Sequence, residues 1–396
     1  MKPICLSCLF LVSTLAGPVM ASDPAVNTFT LDFYRHAGST QPDNLVLSPY
    51  SIHTVMLMAM AGAEGETLSE LTTGLRLVGD PATAHEHAER LRAALQQSAK
   101  SGEIEMQIAQ SLWPDDALPL NDPFREILRT VYAAEAIPVN FRTDAAQARN
   151  RINAWVATRT RDKIPHLLPE GSLNAMTRLV LVNAIYFKGR WAHAFPAEAT
   201  RSQPFHIDET TALEVPMMHQ QQSFHYADLD SFSALALPYR QDTMEMLVLL
   251  PSPGSSLHEL EATLSPARLA EVDQNLRRET VRVALPRFTA RTQLECRTLL
   301  TEMGMPTSFQ SGRADFSGIS GQPGDLFISE VVHEAMIEVT EEGTEAAAAT
   351  GAIMKATAFR PEQPVSFIAD HPFLYLIRDR ATGVILFIGR ITNPTL

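Results

Sequence analysis

Val26, Phe29 and Phe33 recur at helical spacing behind Ser22-Asp23-Pro24, a capping residue followed by a proline suited to a first turn. The spacing predicts an amphipathic opening helix. Met106, Ile108 and Leu112 share one parity of a strand, and residues 179–187 are almost continuously apolar, as in a strand covered on both faces. Residues 244–250 and 281–285 add strands. Residues 373–377 and 384–388 form a hairpin around the turn at 379–383. Helical stretches dominate the first half. No repeat, charge block or long Gly/Ser- or Pro-rich linker divides the chain, which predicts one α+β domain of mixed helix and sheet.

One segment does not fit this pattern. From Glu341 the chain runs for about twenty residues with little core-forming material, directly after a strand-like stretch, and connections of that length are functional or disordered. An Ala tract alone reads first as a flexible linker or a short helix. Parity argues otherwise. If residues 344–355 are extended, Thr344, Ala346, Ala348, Thr350, Ala352 and Met354 face one side, and both charges, Glu345 and Lys355, fall on the other. The segment can therefore enter a sheet over an apolar core with its charges pointing away. It reads as a strand held in reserve.

Composition narrows the function classes. The formal charge is −13, against the positive field that nucleic acid or an anionic membrane would need, so neither is expected as a partner. Lys2, the apolar stretch 4–15 and the small residues Val19 and Ala21 read as a secretory signal over residues 1–21, cut after Ala21. The expected product, residues 22–396, is secreted or periplasmic and monomeric. That cut removes Cys5 and Cys8 and leaves Cys296 without an internal disulfide partner.

The hinge residues Glu341, Gly343, Thr344, Glu345, Ala346, Ala347, Ala348 and Ala349 closely resemble those of the inhibitory serpins, Glu-x-Gly-Thr-Glu followed by small residues. The resemblance extends over the mature chain: Asn44-Leu-Val-Leu-Ser48-Pro49-Tyr-Ser51-Ile52, Asn183-Ala-Ile-Tyr-Phe-Lys-Gly-Arg-Trp191, Leu285-Pro-Arg-Phe288 and Asp370-His371-Pro372-Phe373-Leu374. It implies a serpin fold: a large central mixed sheet, two smaller sheets, surrounding helices and an exposed reactive loop at about 341–364. It implies a suicide inhibitor of serine, or alternatively cysteine, proteases, not an enzyme. The cut loop inserts into the central sheet and carries the acyl-enzyme with it.

By the same resemblance Ser48, Ser51, Asn183 and His333 form a polar cluster that controls sheet opening, and Trp191 lies near the point of loop entry. Family spacing places the scissile bond at Thr357-Ala358, with Lys355-Ala356 or Met354-Lys355 as alternatives. A non-inhibitory serpin, a carrier or chaperone, is the rival. The hinge argues against it, because its inward face carries no charge and its first proline is Pro361. Ser48 and His333 do not read as nucleophile and base, since no GxSxG elbow is present. His85-Glu86-His87 lacks HExxH spacing and reads as a solvated helix surface, so neither metal nor cofactor is expected. Mixed charges over residues 85–103 argue against activation by a sulfated polysaccharide.

Overall fold

The computed structural model describes residues 24–99, 104–344 and 363–396. Its helices are α1 (Pro24–Thr40), α2 (Pro49–Met60), α3 (Gly65–Gly74), α4 (Pro81–Ala99), α5 (Asp122–Thr130), α6 (Phe141–Arg159), α7 (Leu257–Thr263), α8 (Pro266–Asn275) and α9 (Arg297–Glu302). The expected opening helix is α1, with Val26, Phe29 and Phe33 on its buried face. Almost every residue of α2 is buried, and it is apolar on all sides because it packs against strands of two sheets.

The strands are β1 (Leu45–Leu47), β2 (Ile104–Pro114), β3 (Glu135–Ala136), β4 (Leu179–Arg190), β5 (Arg201–His206), β6 (Ala212–Leu229), β7 (Phe232–Pro238), β8 (Met244–Pro251), β9 (Arg277–Pro286), β10 (Phe288–Glu295), β11 (Glu330–Thr340), β12 (Gly343–Thr344), β13 (Val365–Ile368), β14 (Phe373–Asp379) and β15 (Ile385–Ile391). One mixed sheet of six strands runs β10-β11-β12-β4-β2-β3. The other runs β1-β15-β14-β8-β7-β6-β9-β13, with β5 on β6.

The two smaller sheets that the resemblance implies are thus two halves of one nine-stranded sheet. The 18 residues of β6 join them, pairing with β5 and β9 along most of their length and with β7 at the end. Within β6, Met217 and Met218 are both buried, and the inward parity passes there from Val215 and Met217 to Met218, Gln220 and Phe224. A strand that changes its buried face can serve two packing surfaces.

The apolar run of β4 is covered on both faces, as its pattern predicts. Val180, Val182 and Ala184 join the cluster built on Phe141, Ile152 and Val156 of α6. Leu179 and Leu181 join the cluster containing α1 and α2. This places β4 at the centre of the six-stranded sheet, paired with β2 on one side and with β11 and the two-residue β12 on the other.

Candidate functional site

Strands β4 and β11 are parallel neighbours from Glu330↔Val180 to Met336↔Tyr186. Beyond that they part, and β12 wedges between them: Gly343 and Thr344 pair with Thr340 and Val339 on one side and with Arg190 and Gly189 on the other. The hinge therefore departs from the expected exposed loop at its first residues, since Glu341 and Thr344 are buried and Thr344 is fully enclosed. The reason is local. Four backbone pairings and a waiting hydroxyl satisfy the polar groups that burial takes from water.

That hydroxyl belongs to Tyr239, whose OH lies 3.0 Å from Thr344 Oγ1. Tyr239 is buried and stacks on Trp191 with centroids 4.7 Å apart and planes 10° from parallel. Trp191 clasps the chain entering the hinge: its backbone N–H donates to the Glu342 carbonyl (2.9 Å) and its indole N–H to the Thr340 carbonyl (3.0 Å). The Phe195 N–H donates to the Glu341 carbonyl (2.8 Å).

The Glu341 carboxylate accepts from Arg287 Nε (2.7 Å) and from Thr200 Oγ1 (2.6 Å). Burial works to raise its pKa, but these donors outweigh it and hold the carboxyl below its usual range. Gly343 has φ +150°, and a Cβ there would lie 2.1 Å from the Gly189 carbonyl oxygen and 2.6 Å from Arg190 Cα. Only glycine fits so close to a neighbouring strand.

Further down, the cluster of Ser48, Ser51, Asn183 and His333 comes together under the closed part of the sheet, every member fully buried. His333 and Asn183 are register partners across β11 and β4. His333 Nδ1–H donates to Asn183 Oδ1 (2.6 Å), while His333 Nε2 accepts from the Ser48 backbone N–H (3.1 Å). Asn183 Oδ1 also accepts from Ser51 Oγ (2.8 Å), and Gln110 Nε2 from β2 donates to the Ser51 carbonyl (2.8 Å).

Burial pushes the His333 imidazole down to about 3, so it is neutral, with its single proton on Nδ1. Ser48 Oγ makes no hydrogen bond and His333 engages only the Ser48 main chain, so the pair lacks the nucleophile–base contact of a hydrolase. The cluster ties α2 to β2, β4 and β11, and any separation of β4 from β11 must break it.

Glu345, Ala346, Ala347, Ala348 and Ala349 of the hinge, Thr357 and Ala358, expected to be the bait, and the alternatives Lys355 and Ala356 lie outside the described residues, as does the segment 1–21. His85, read from sequence as solvated, is half-buried with Nδ1 2.6 Å from Tyr132 OH, and burial lowers its pKa. Among the described residues no group of three or more His, Cys, Asp or Glu side chains is placed to hold a metal, and no helix is long and apolar enough to cross a membrane.

Sequence reasoning missed Tyr239 and Gln110, which carry no pattern of their own, and the pairing of Arg287 with Glu341. The signal for Arg287 was present in Leu285-Pro-Arg-Phe288, but its role was not.

Residues 24–394 match the family model described as serpin (serine protease inhibitor). An uncharacterized serpin-like protein of Thermococcus kodakarensis is 38% identical over 93% of this chain and 85% of its own. The leukocyte elastase inhibitor of Homo sapiens is 36% identical over 92% of this chain and 97% of its own. Among solved structures, a thyroxine-binding globulin complex with thyroxine superposes with a TM-score of 0.83 at 29% identity, covering 94% of this chain and 98% of that one. The α+β fold with its parted central sheet and the match over nearly the whole length agree: this chain belongs to the serpins, a family of protease inhibitors and not of enzymes.

Proposed function

We propose that this chain is an inhibitory serpin that traps serine proteases, with cysteine proteases as the alternative class, by inserting its cleaved loop between β11 and β4. The observation that carries the reading is Thr344, seated between those strands as the first residue of an incipient strand. The residues that follow it on the inward parity are Ala346, Ala348, Thr350, Ala352 and Met354, which bring neither charge nor proline into the sheet. Serpin loop insertion is an established case of strand addition.

About ten inserted residues would each gain ladder hydrogen bonds contributing on the order of 1 kcal/mol, besides the burial of Ala and Met side chains. The uncleaved fold is then kinetically trapped, and the cluster on His333 and Asn183 sets how fast the sheet parts. The same reading assigns cleavage after Ala21 and export, which N-terminal sequencing of the protein recovered from the periplasm or medium tests.

The central experiment mixes the mature protein with elastase-, trypsin-, subtilisin- and papain-like proteases. Denaturing gels would show a covalent band at the summed mass, and mass spectrometry would place the cut at Thr357-Ala358 or, as the alternative, Lys355-Ala356. Clean cleavage by all four, with no complex and no gain in thermal stability, would assign the carrier role instead.

A further inference from the structure

The outward face of β6, β9 and β13 differs in charge from the acidic chain around it. Strand register puts Ser366, Arg282 and Gln221 side by side on that face, then Ile368, Ala284 and His219, with Thr280 and Ser223, and Arg278 and His225, continuing it. Arg278, Arg282 and His225 are exposed, and none of the residues just named is a carboxylate. Arg201, on neighbouring β5, adds its charge from the side.

None of Arg201, Arg278 and Arg282 forms an ion pair among the described residues; Arg278 spends one donor on Ser223 Oγ (3.0 Å). Partial burial first, and the Arg201 charge second, lower the His219 pKa, which registers the positive field at the surface. In a chain of net charge −13, clustered unpaired guanidinium groups on one sheet face are a local reversal of sign.

Two further features point to a protein partner. Ile368 is 42% exposed, one of only four large apolar side chains so exposed among the described residues, and it sits beside the arginines on the same face. An apolar anchor within a charged rim is interface anatomy. Moreover, β13 is the first strand after the segment read as the bait, so the chain re-enters the fold at this face.

We infer that the outward face of β6, β9 and β13, with Arg201, Arg278, Arg282 and Ile368, is a docking surface for the target protease, engaging an acidic patch beside the protease's cleft. This rests on the reading of residues 345–362 as a protease bait. The arginines act on encounter: they raise the rate at which an acidic protease reaches the loop and leave the fate of the acyl-enzyme to the sheet. Selectivity among proteases that share a cleavage preference then comes from this face.

The test measures the second-order rate of loop engagement, counting both covalent complex and cleaved serpin, for an anionic and a cationic protease of the same cleavage preference. The full mature protein is compared with R278E/R282E and R278K/R282K. The wild type and the Lys variant are expected to engage the anionic protease at least about tenfold faster than the cationic one at low salt, with the advantage lost near 0.5 M NaCl. The Glu variant is expected to reverse the preference while keeping the same ratio of complex to cleaved product.

Equal rates for the two proteases in the wild type, unchanged in the Glu variant, overturn the docking surface. So does equality combined with Arg278- and Arg282-dependent retention on a sulfated polysaccharide column, which makes the face a polyanion site. Absence of any covalent complex counts instead against the inhibitory reading, because the rate of loop cleavage still reports docking.

Discussion

The hinge end and the middle of the six-stranded sheet are held shut by different means. At the hinge end β12 already separates β4 from β11, and its contacts are few and specific: the Thr344 hydroxyl on Tyr239, the Trp191 clasp, and a Glu341–Arg287 pair whose arginine is half exposed. In the middle seven consecutive residues of β11 pair directly with β4 over a fully buried polar cluster. Contacts of the first kind yield one at a time. Those of the second fail together, because Asn183 Oδ1 serves both Ser51 and His333. If the loop inserts as proposed, the difference sets the sheet to open from the seated hinge toward the locked middle.

The largest expected effect comes from breaking the first step of that sequence. Thr344→Arg would force a guanidinium into the enclosed site beside Tyr239, with no carboxylate within the contacts that Thr344 makes. Insertion stalls, deacylation overtakes it, and the variant is cut as a substrate, with at least about ten molecules consumed per protease trapped. Titrating protease activity against inhibitor reads this directly. A stoichiometry near one would refute insertion at this site.

Next is the lock in the middle. Asn183→Ala removes the acceptor of His333 Nδ1–H and leaves that buried donor unpaired, at about 1–3 kcal/mol, while Ser51 Oγ keeps the Ser48 carbonyl (3.0 Å) and loss of the orphaned Asn183 Nδ2 offsets part of the cost. The urea midpoint should fall, and spontaneous conversion to an inactive, more heat-stable form should quicken. An unchanged conversion rate would mean that the cluster holds the fold but does not gate the sheet.

Gly343→Ala probes the wedge itself and should cost less. The added Cβ meets the main chain of Gly189 and Arg190, and the φ of +150° disfavours any side chain, a strain of about 1–3 kcal/mol relieved if β12 leaves the sheet. Trp191 is stacked on Tyr239 and bonded to Thr340, so its fluorescence should shift, and the hinge should become more sensitive to proteolysis. Unchanged emission and proteolysis would show that the wedge tolerates the methyl.

Much of this arrangement was legible in the chain. The apolar run 179–187 announces a strand buried on both faces, and the alternation from Thr344 onward marks a strand able to enter the sheet. The resemblance brought Ser48, Ser51, Asn183, His333 and Trp191 forward as one functional group. What stayed hidden were partners far apart in sequence: Tyr239 and Thr344 are 105 positions apart, Arg287 and Glu341 are 54 apart, and neither pair leaves a periodic trace. The joining of two sheets through β6 was hidden likewise, because two adjacent buried methionines read equally well as the interior of one strand.

The smallest effect is one of pH, and it separates the middle of β11 from its foot. His333 is held near 3 in the folded state, so below about 6.5 the unfolded chain binds a proton that the native chain refuses; stability is lost as pH falls, about 2 kcal/mol between pH 7 and 5. At the foot of the strand the sign is opposite. Burial, and then the neighbouring Glu295, push Glu330 up to about 7 against the pull of Arg297, so its unfavourable charge is relieved as pH falls through that value. Glu330 is only half buried and solvent screens its share, so its gain offsets part of the His333 loss. Urea midpoints at pH 7 and 5 should therefore differ little in the wild type. His333→Gln should make acidification stabilising, and Glu330→Gln should make it destabilising by about 2 kcal/mol. Parallel shifts in the two variants would mean that neither group titrates within the closed sheet.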